Sequence, residues 1–198
     1  TSKNGTNWYK ELTRTAHIQN HNLSMSGAND NSRFLLSLNF FDQPAITQYQ
    51  FYKRYTARLN SEFKIFKSFR VGQNLQVYSS EANTPPAGDN AGNTNNTNNF
   101  NPNNTEASLI AQTFRPMAIV PVYTIVPGEF AGNLGGRRSG TWGNSKNPLA
   151  NAFRGRNDRD NNVNIFGNVY AELDINHFTA KTSFGGFVNS ETAFRQSC

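Results

Sequence analysis

The sequence predicts an all-β fold, an antiparallel up-and-down sheet of about six long strands that forms a segment of a transmembrane β-barrel. The first observation is an alternation of mostly apolar and polar side chains over the fifteen residues Phe51–Ile65. A period of two indicates a strand, because successive side chains point to opposite faces. The second observation is length, since soluble strands average about five or six residues and a strand that crosses a bilayer needs roughly nine to eleven. The third is that one face is largely apolar and the other charged, which suits lipid outside a barrel and polar groups inside it.

The same alternation recurs in five further segments, so that six strands are predicted in all. These segments are His17–Ala28, which is the weakest, Ser32–Gln43, Phe69–Ser79, Asn162–Ile175 and Phe178–Val188. A soluble β-sandwich or jelly roll also alternates in this way. The pattern alone therefore leaves both the membrane barrel and the soluble sandwich open.

The connections between the predicted strands differ in length in an ordered way. Ala28–Asn31, Phe66–Ser68 and Asn176–His177 are tight turns, whereas 44–50 is a medium loop and 81–160 is very long. Outer-membrane barrels have short periplasmic turns and longer extracellular loops. The two longer connections are therefore expected to face outward from the cell.

The chain divides by these patterns into five parts. They are a loop before the first strand (1–16), four barrel strands (17–80), a long extracellular loop (81–160) with an Asn-rich low-complexity part (83–104), two barrel strands (161–188) and the start of the next loop (189–198). Within the long loop we expect a short helix in Glu106–Arg115 and an extended stretch in Ile119–Val126. A second short helix is expected in Asn147–Arg154, with Asn147 as its cap and Pro148 at its first position.

Two groups of residues are candidates for function. The polar faces of the strands are expected to line a lumen, through Arg54, Arg58, Asn60, Glu62, Asn168 and Glu172. In the long loop, Phe130 and Trp142 are candidates for contact with a substrate or partner, because exposed aromatic rings stack on sugars or pack against proteins. The alternative, that these rings pack a small core of the loop itself, remains open.

Composition and motifs give no support to other classes of protein. The net charge is +6 and the pI about 9.6, but the cations are scattered, with only Arg137-Arg138 and Arg154-Gly155-Arg156 as local groups, which disfavours nucleic-acid binding. A single cysteine and three histidines lack the spacing of a zinc site. There is no G-x-S-x-G, P-loop or H-E-x-x-H motif, so we expect neither an enzyme nor a cofactor. No run of 18 apolar residues predicts a transmembrane helix.

Several segments carry a resemblance to a known family. The stretch from Trp8 to Gly27 fits the approximate pattern W-x-x-E-x-x-R-T-x-x-x-Q-N-H/Y-N-L-S-x-S-G, and the similarity continues through Tyr52–Asn60, Val71–Leu75 and Phe166–Glu172. In these residues the chain resembles the SusC/RagA-like TonB-dependent outer-membrane transporters of Bacteroidota. The similarity extends over essentially the whole chain, and the Asn-rich insert departs from it.

The resemblance implies more than the residues alone establish. Such transporters are 22-stranded barrels with an N-terminal plug, so this chain would be an internal fragment of the barrel domain. That agrees with its open sheet edges, which are not tolerated in lipid. The family imports glycans or peptides across the cell outer membrane, with a SusD-like surface lipoprotein as lid and TonB, contacted through a region upstream, as energy source. The competing hypothesis is a soluble secreted β-sandwich that binds carbohydrate through Trp142.

Overall fold

The computed structural model describes residues 5–83, 109–124, 126–131 and 147–196. Its helices are α1 (Trp8–Leu12), α2 (Leu109–Gln112) and α3 (Pro148–Arg154), the last followed by a 3-10 turn at Gly155–Asn157. Its strands are β1 (Gln19–Ala28), β2 (Ser32–Pro44), β3 (Phe51–Phe66), β4 (Phe69–Ala82), β5 (Arg159–Ile175) and β6 (Phe178–Phe194). No helix among these residues is long and apolar enough to cross a membrane.

The six strands form one antiparallel sheet in the order β1-β2-β3-β4-β5-β6. Each strand therefore pairs with its neighbours in sequence, and β4 lies beside β5 although the long loop separates them in the chain. The predicted all-β, antiparallel up-and-down fold is confirmed. In the described residues β1 and β6 are the two edges, so the sheet does not close on itself.

The last strand is longer than the alternation of side chains predicts. Residues 189–198 were expected to begin a loop, but β6 continues to Phe194, which pairs with Arg159 at the start of β5. The segment Asn189–Thr192 is polar on both faces and carries no alternating signal. Backbone pairing with β5 extends the strand there without help from apolar side chains.

The buried core lies beyond one end of the sheet rather than on one of its faces. Residues 1–16 were expected to be loop, yet α1 forms there, and its Trp8 and Leu12, one helical turn apart, are both buried. Asn7 caps this helix by accepting from the backbone N–H of Lys10 at 3.0 Å. The cluster that α1 joins consists of Trp8, Leu12, Leu109, Val120, Val122, Ala131, Leu149 and Ala152.

The predictions for the long loop are confirmed only in part. The capped helix is confirmed as α3, with Pro148 at its start and Asn147 accepting from the N–H groups of Leu149 and Ala150. The earlier helix, expected in Glu106–Arg115, is limited to α2 in the part that the structure describes. The extended stretch expected in Ile119–Val126 is wrong at its start, because a turn closes there through the Val120 N–H and the Met117 carbonyl at 3.1 Å. Further along, Tyr123 does form an antiparallel bridge with Phe130.

Candidate functional site

The strand register sorts the side chains of the sheet onto two faces of opposite character. Leu59 is paired with Leu36 on one side and Leu75 on the other, so these three side chains share a face. The same face carries large apolar side chains that are left exposed: Leu23, Met25, Phe34, Leu38, Tyr55, Phe63, Ile165, Val169, Phe184 and Val188. Leu23 is 69% exposed and Phe184 79%. Contiguous apolar surface of this extent is rare on soluble monomers and indicates contact with a partner or a membrane.

The opposite face is polar and carries all six of the predicted lumen residues. Asn60 on β3 is in register with Asn74 on β4 and Asn168 on β5, which fixes the side of the sheet on which these side chains lie. By the same pairing Arg54, Arg58, Glu62 and Glu172 lie on that side. They occupy different heights along the sheet and do not converge on one point.

Amide and guanidinium groups bond across the upper and middle part of the polar face. Asn74 donates to the Asn168 side chain at 3.1 Å, and Arg58 donates to Gln76 Oε1 at 2.7 Å. The guanidinium of Arg54 lies 5.7 Å from the centre of the Phe41 ring. These contacts link side chains of neighbouring strands on the polar face.

Nearer the tight turns, charged side chains form two ion-paired groups that we together term the charged belt: Arg33, Glu62, Arg70, Glu172, Asp174 and Lys181. Arg33 pairs with Glu62 at 2.7 Å, and Arg70 pairs with Glu172 at 2.5 Å and Asp174 at 3.0 Å. Lys181 approaches Glu172 at 3.6 Å. The belt therefore crosses the sheet from β2 to β6.

Tyr170 connects the two halves of the charged belt. Its hydroxyl donates to Glu62 Oε2 at 2.5 Å, and the ammonium group of Lys181 lies 4.6 Å from its ring centre. The sequence marks Tyr170 only as an exception on a polar face. The sequence did not single out Arg33, Arg70 and Lys181 either. The contacts of all four residues depend on the register between strands, which the two-residue alternation within a single strand does not reveal.

A shallow hollow of about 480 Å³ opens at the turn end of the sheet. Most of its lining side chains belong to the apolar face, among them Phe63, Val71, Val169 and Phe184. It therefore lies on the side opposite Arg54, Arg58 and Asn60. The hollow is not a candidate for binding a polar molecule on the polar face.

The core beyond the sheet ties three connections into one unit, which we term the outer cap: residues 5–13, 45–50, 109–131 as described, and 147–157. The hydroxyl of Thr6 donates to the Val120 carbonyl at 2.7 Å, and the N–H of Gln48 donates to the Leu12 carbonyl at 3.0 Å. The buried amide of Asn147 donates to the carbonyls of Val122 and Ala131 at 2.9 and 3.1 Å. Segments far apart in the chain therefore share one small core.

The outer cap is anchored to the sheet beneath it. Buried Asn83, the residue after β4, donates to the carbonyls of Gly155 and Asp158 at 2.7 and 2.8 Å. Arg14, between α1 and β1, donates to the carbonyls of Ala45, which follows β2, and Gln50, which precedes β3, at 3.2 and 3.3 Å. The cap thus has a defined position at the strand ends opposite the tight turns.

The two aromatic candidates of the loop have different outcomes. Phe130 is partly buried and lies 5.1 Å from the ring of Tyr123 and 5.2 Å from that of Phe153, so it packs against the cap's own core. Tyr123, which sequence analysis did not single out, is 50% exposed beside it. Three predicted features lie outside the described residues: Trp142, the pair Arg137-Arg138, and the Asn-rich part after Asn83.

No group of three or more metal-ligating side chains is placed to hold an ion within the described ranges. The geometry is that of a two-faced wall with a folded cap at one end. It contains a polar surface that could face water or another part of the same protein.

Comparisons with known proteins place this wall in context. A TonB-dependent receptor, P3, of Formosa agariphila is 36% identical over 70 residues, which are 35% of this chain and 7% of that receptor. Structures of the RagAB peptide transporter, and of the RagAB peptide importer in its closed-closed state, match 94% of this chain with a TM-score of 0.63 at 19% and 17% identity. The chain spans 19% of the length of each solved chain. No family model matches.

These matches agree with the resemblance of the sequence to the SusC/RagA-like TonB-dependent outer-membrane transporters. The likeness to the solved structures concerns the fold of the sheet. Neither relative is named as an enzyme.

Proposed function

We propose, on the premise that this chain is a segment of a SusC/RagA-like TonB-dependent receptor barrel, that it forms part of the wall and an outer loop of a transporter that imports glycans or peptides. The observation that carries the proposal is the division of one long-stranded sheet into an exposed apolar face and a polar face. β3 alone has 16 residues. At ~3.3 Å per residue such a strand exceeds the ~25 Å apolar band of an outer-membrane barrel even when tilted.

In this proposal outer-membrane lipid covers the apolar face and the polar face lines the lumen. Arg54, Arg58 and Asn60 would face the upper lumen. Glu62 and Glu172, in the charged belt, would lie nearer the periplasm. Ion pairs within the belt support this placement, because charges facing lipid at mid-membrane cost several kcal/mol whereas lumen charges remain hydrated or paired.

The outer cap would face the cell exterior and contact the substrate or a SusD-like lipoprotein lid. Phe130 and Trp142 remain the proposed contact residues, and half-exposed Tyr123 extends the aromatic surface beside Phe130. TonB would act through a region outside this chain. The solved relatives are named for peptides, but glycan and peptide are both retained here as substrate classes.

The soluble carbohydrate-binding sandwich is not favoured. A sandwich buries the inner faces of two packed sheets against each other, but the described strands form a single sheet whose apolar face is exposed. A lipid environment accounts for that face without a second sheet.

The test is uptake by cells that carry the full receptor or lack it. Fluorescent oligopeptides and oligosaccharides are supplied with and without dissipation of the proton-motive force that drives TonB. Receptor-dependent, energy-dependent uptake of either class is expected, with a several-fold loss in Tyr123→Ala. Tyr9→Ala is the matched control, because Tyr9 is similarly exposed on α1 of the same cap. Uptake that is equal with and without the receptor would overturn the proposal.

A further inference from the structure

The polar face of β3 carries three cations that lack an acidic partner in the part of the chain that the structure describes. They are Arg54, Arg58 and Lys64, all of which are exposed. Arg58 bonds to a neutral amide, Gln76, and Arg54 lies over the ring of Phe41. We term these three residues the cation column.

The carboxylates on the same face are already engaged. Glu62, Glu172 and Asp174 are paired within the charged belt, and Asp160 pairs with Arg195 at 2.5 Å. Glu191 accepts from the amides of Asn162 and Asn189. The polar face therefore has a positive excess that is concentrated on one strand.

Two exposed phenyl rings lie in the same cross-strand row as Arg58. The cross-strand row that runs from Arg58 through Gln76 reaches Phe166 on β5 and Phe187 on β6. These two phenyl rings are 56% and 63% exposed although they lie on the polar side. A guanidinium, an amide and two apolar rings thus lie in one line across four strands.

We propose that the upper cation column and this row form a binding surface for a carboxylate-bearing oligomer on its way through the lumen. Carboxylates accept charge-assisted hydrogen bonds from guanidinium groups, which are stronger than those between neutral groups. Arg and Lys lining a pore favour anions, and charge of one sign in a confined space raises the local concentration of the opposite charge. Phe166 and Phe187 would take the apolar parts of the same molecule.

The geometry suits an extended chain rather than a single small anion. Arg54 and Arg58 are four residues apart on one strand, which corresponds to about 13 Å. Two carboxylates several bonds apart could therefore meet the two guanidinium groups at once. Acidic oligopeptides and uronate oligosaccharides share this chemistry, and the experiment separates them. The inference rests on the proposed function, because it requires the polar face to line the lumen.

The test measures uptake by the full transporter of an Asp/Glu-containing peptide against its Asn/Gln counterpart, and of an oligouronate against its neutral oligosaccharide. In the wild type, either the acidic peptide or the oligouronate should be imported faster than its neutral counterpart. Arg54→Gln with Arg58→Gln should lower that acidic-to-neutral ratio by roughly tenfold or more, since two charge-assisted hydrogen bonds are lost and such bonds are stronger than those between neutral groups. Lys53→Gln is the matched control, because Lys53 is on the same strand but on the apolar face.

An acidic-to-neutral ratio that stays the same in the double variant, or that falls equally in Lys53→Gln, would overturn the inference. So would equal losses of acidic and neutral uptake together with a lower melting temperature, because the cations would then pair with another part of the transporter. If the wild type imported none of the four oligomers, the proposed function itself would be contradicted. If it imported only the neutral oligomers, only this inference would be contradicted.

Discussion

Tyr170 reaches Glu62 across an intervening strand, and its hydroxyl donates to the carboxylate at 2.5 Å. The two residues lie on β5 and β3, and the residue between them on β4 is Gly72, in register with both. A Cβ atom on Gly72 would lie 2.3 Å from Tyr170 Cζ. Glycine at this position therefore lets the ring lie flat over β4.

Gly72→Ala should destabilise the full barrel by about 1–3 kcal/mol, the usual cost of an overpacked site. The added methyl group must displace the Tyr170 ring from its path to Glu62. Urea unfolding of the purified receptor would measure the change in unfolding free energy. Gly186→Ala is the matched control, because a Cβ there meets nothing within 4 Å. Equal effects of the two substitutions would contradict the packing described.

Tyr170→Phe and Glu62→Gln should be coupled. Tyr170→Phe keeps the ring over Gly72 but removes the hydroxyl donor, so it isolates the hydrogen bond from the packing. We expect a coupling free energy of about 1 kcal/mol in a double-mutant cycle of unfolding measurements. Strictly additive effects of the two substitutions would show that the hydroxyl contributes nothing to stability.

Asn147 has two roles in the outer cap that can be separated. Asn147→Asp keeps the oxygen that accepts from the N–H groups of Leu149 and Ala150, but it removes the donor to the carbonyls of Val122 and Ala131. Hydrogen exchange of the cap should therefore accelerate in Asn147→Asp, because two carbonyls lose their donor and face a charge. Asn147→Ala removes the cap as well, a loss typically of about 1 kcal/mol. If the aspartate variant exchanges like the wild type, the donor role is wrong.

Leu12→Ala should loosen the whole outer cap, because Leu12 is fully buried in the core that its segments share. Large-to-small substitutions of this kind cost about 2–5 kcal/mol. Hydrogen exchange should rise together in residues 45–50 and in α3, which are distant in sequence, while β3 and β4 stay protected. Tyr9→Ala, on the exposed side of the same helix, should leave these rates unchanged. A rise confined to α1 would show that the cap is not one cooperative unit.

The alternation of Phe51–Ile65 is enough to predict β3, because strand periodicity is local and lipid demands an apolar face. The two faces follow from the same signal. The end of β6 could not be predicted, since Asn189–Thr192 is polar throughout and is held by pairing with β5. α1 was missed because it spans only five residues, Trp8–Leu12, and forms by packing against a core assembled from distant segments.

In the candidate site, too, some residues could be predicted from a single strand and others could not. Arg54, Arg58 and Glu62 were placed on one face by counting residues along a single strand. Tyr170 looked like a break in the pattern, because its partner Glu62 is on β3 and its contact with Gly72 requires the register of β4. Interactions between strands depend on the register in which the strands pair, and the alternation along one strand does not determine that register.

The most direct test of the two-faced wall compares Leu59→Arg with Asn60→Arg in the full receptor. These neighbours on β3 point to opposite faces, so the substitutions differ only in the side to which the charge is added. Leu59→Arg should destabilise the folded barrel by about 2–4 kcal/mol if it lies at the membrane midplane, whereas Asn60→Arg should change the unfolding free energy by less than about 0.5 kcal/mol. Equal tolerance at both positions, or a larger cost at Asn60, would contradict the assignment of the apolar face to lipid.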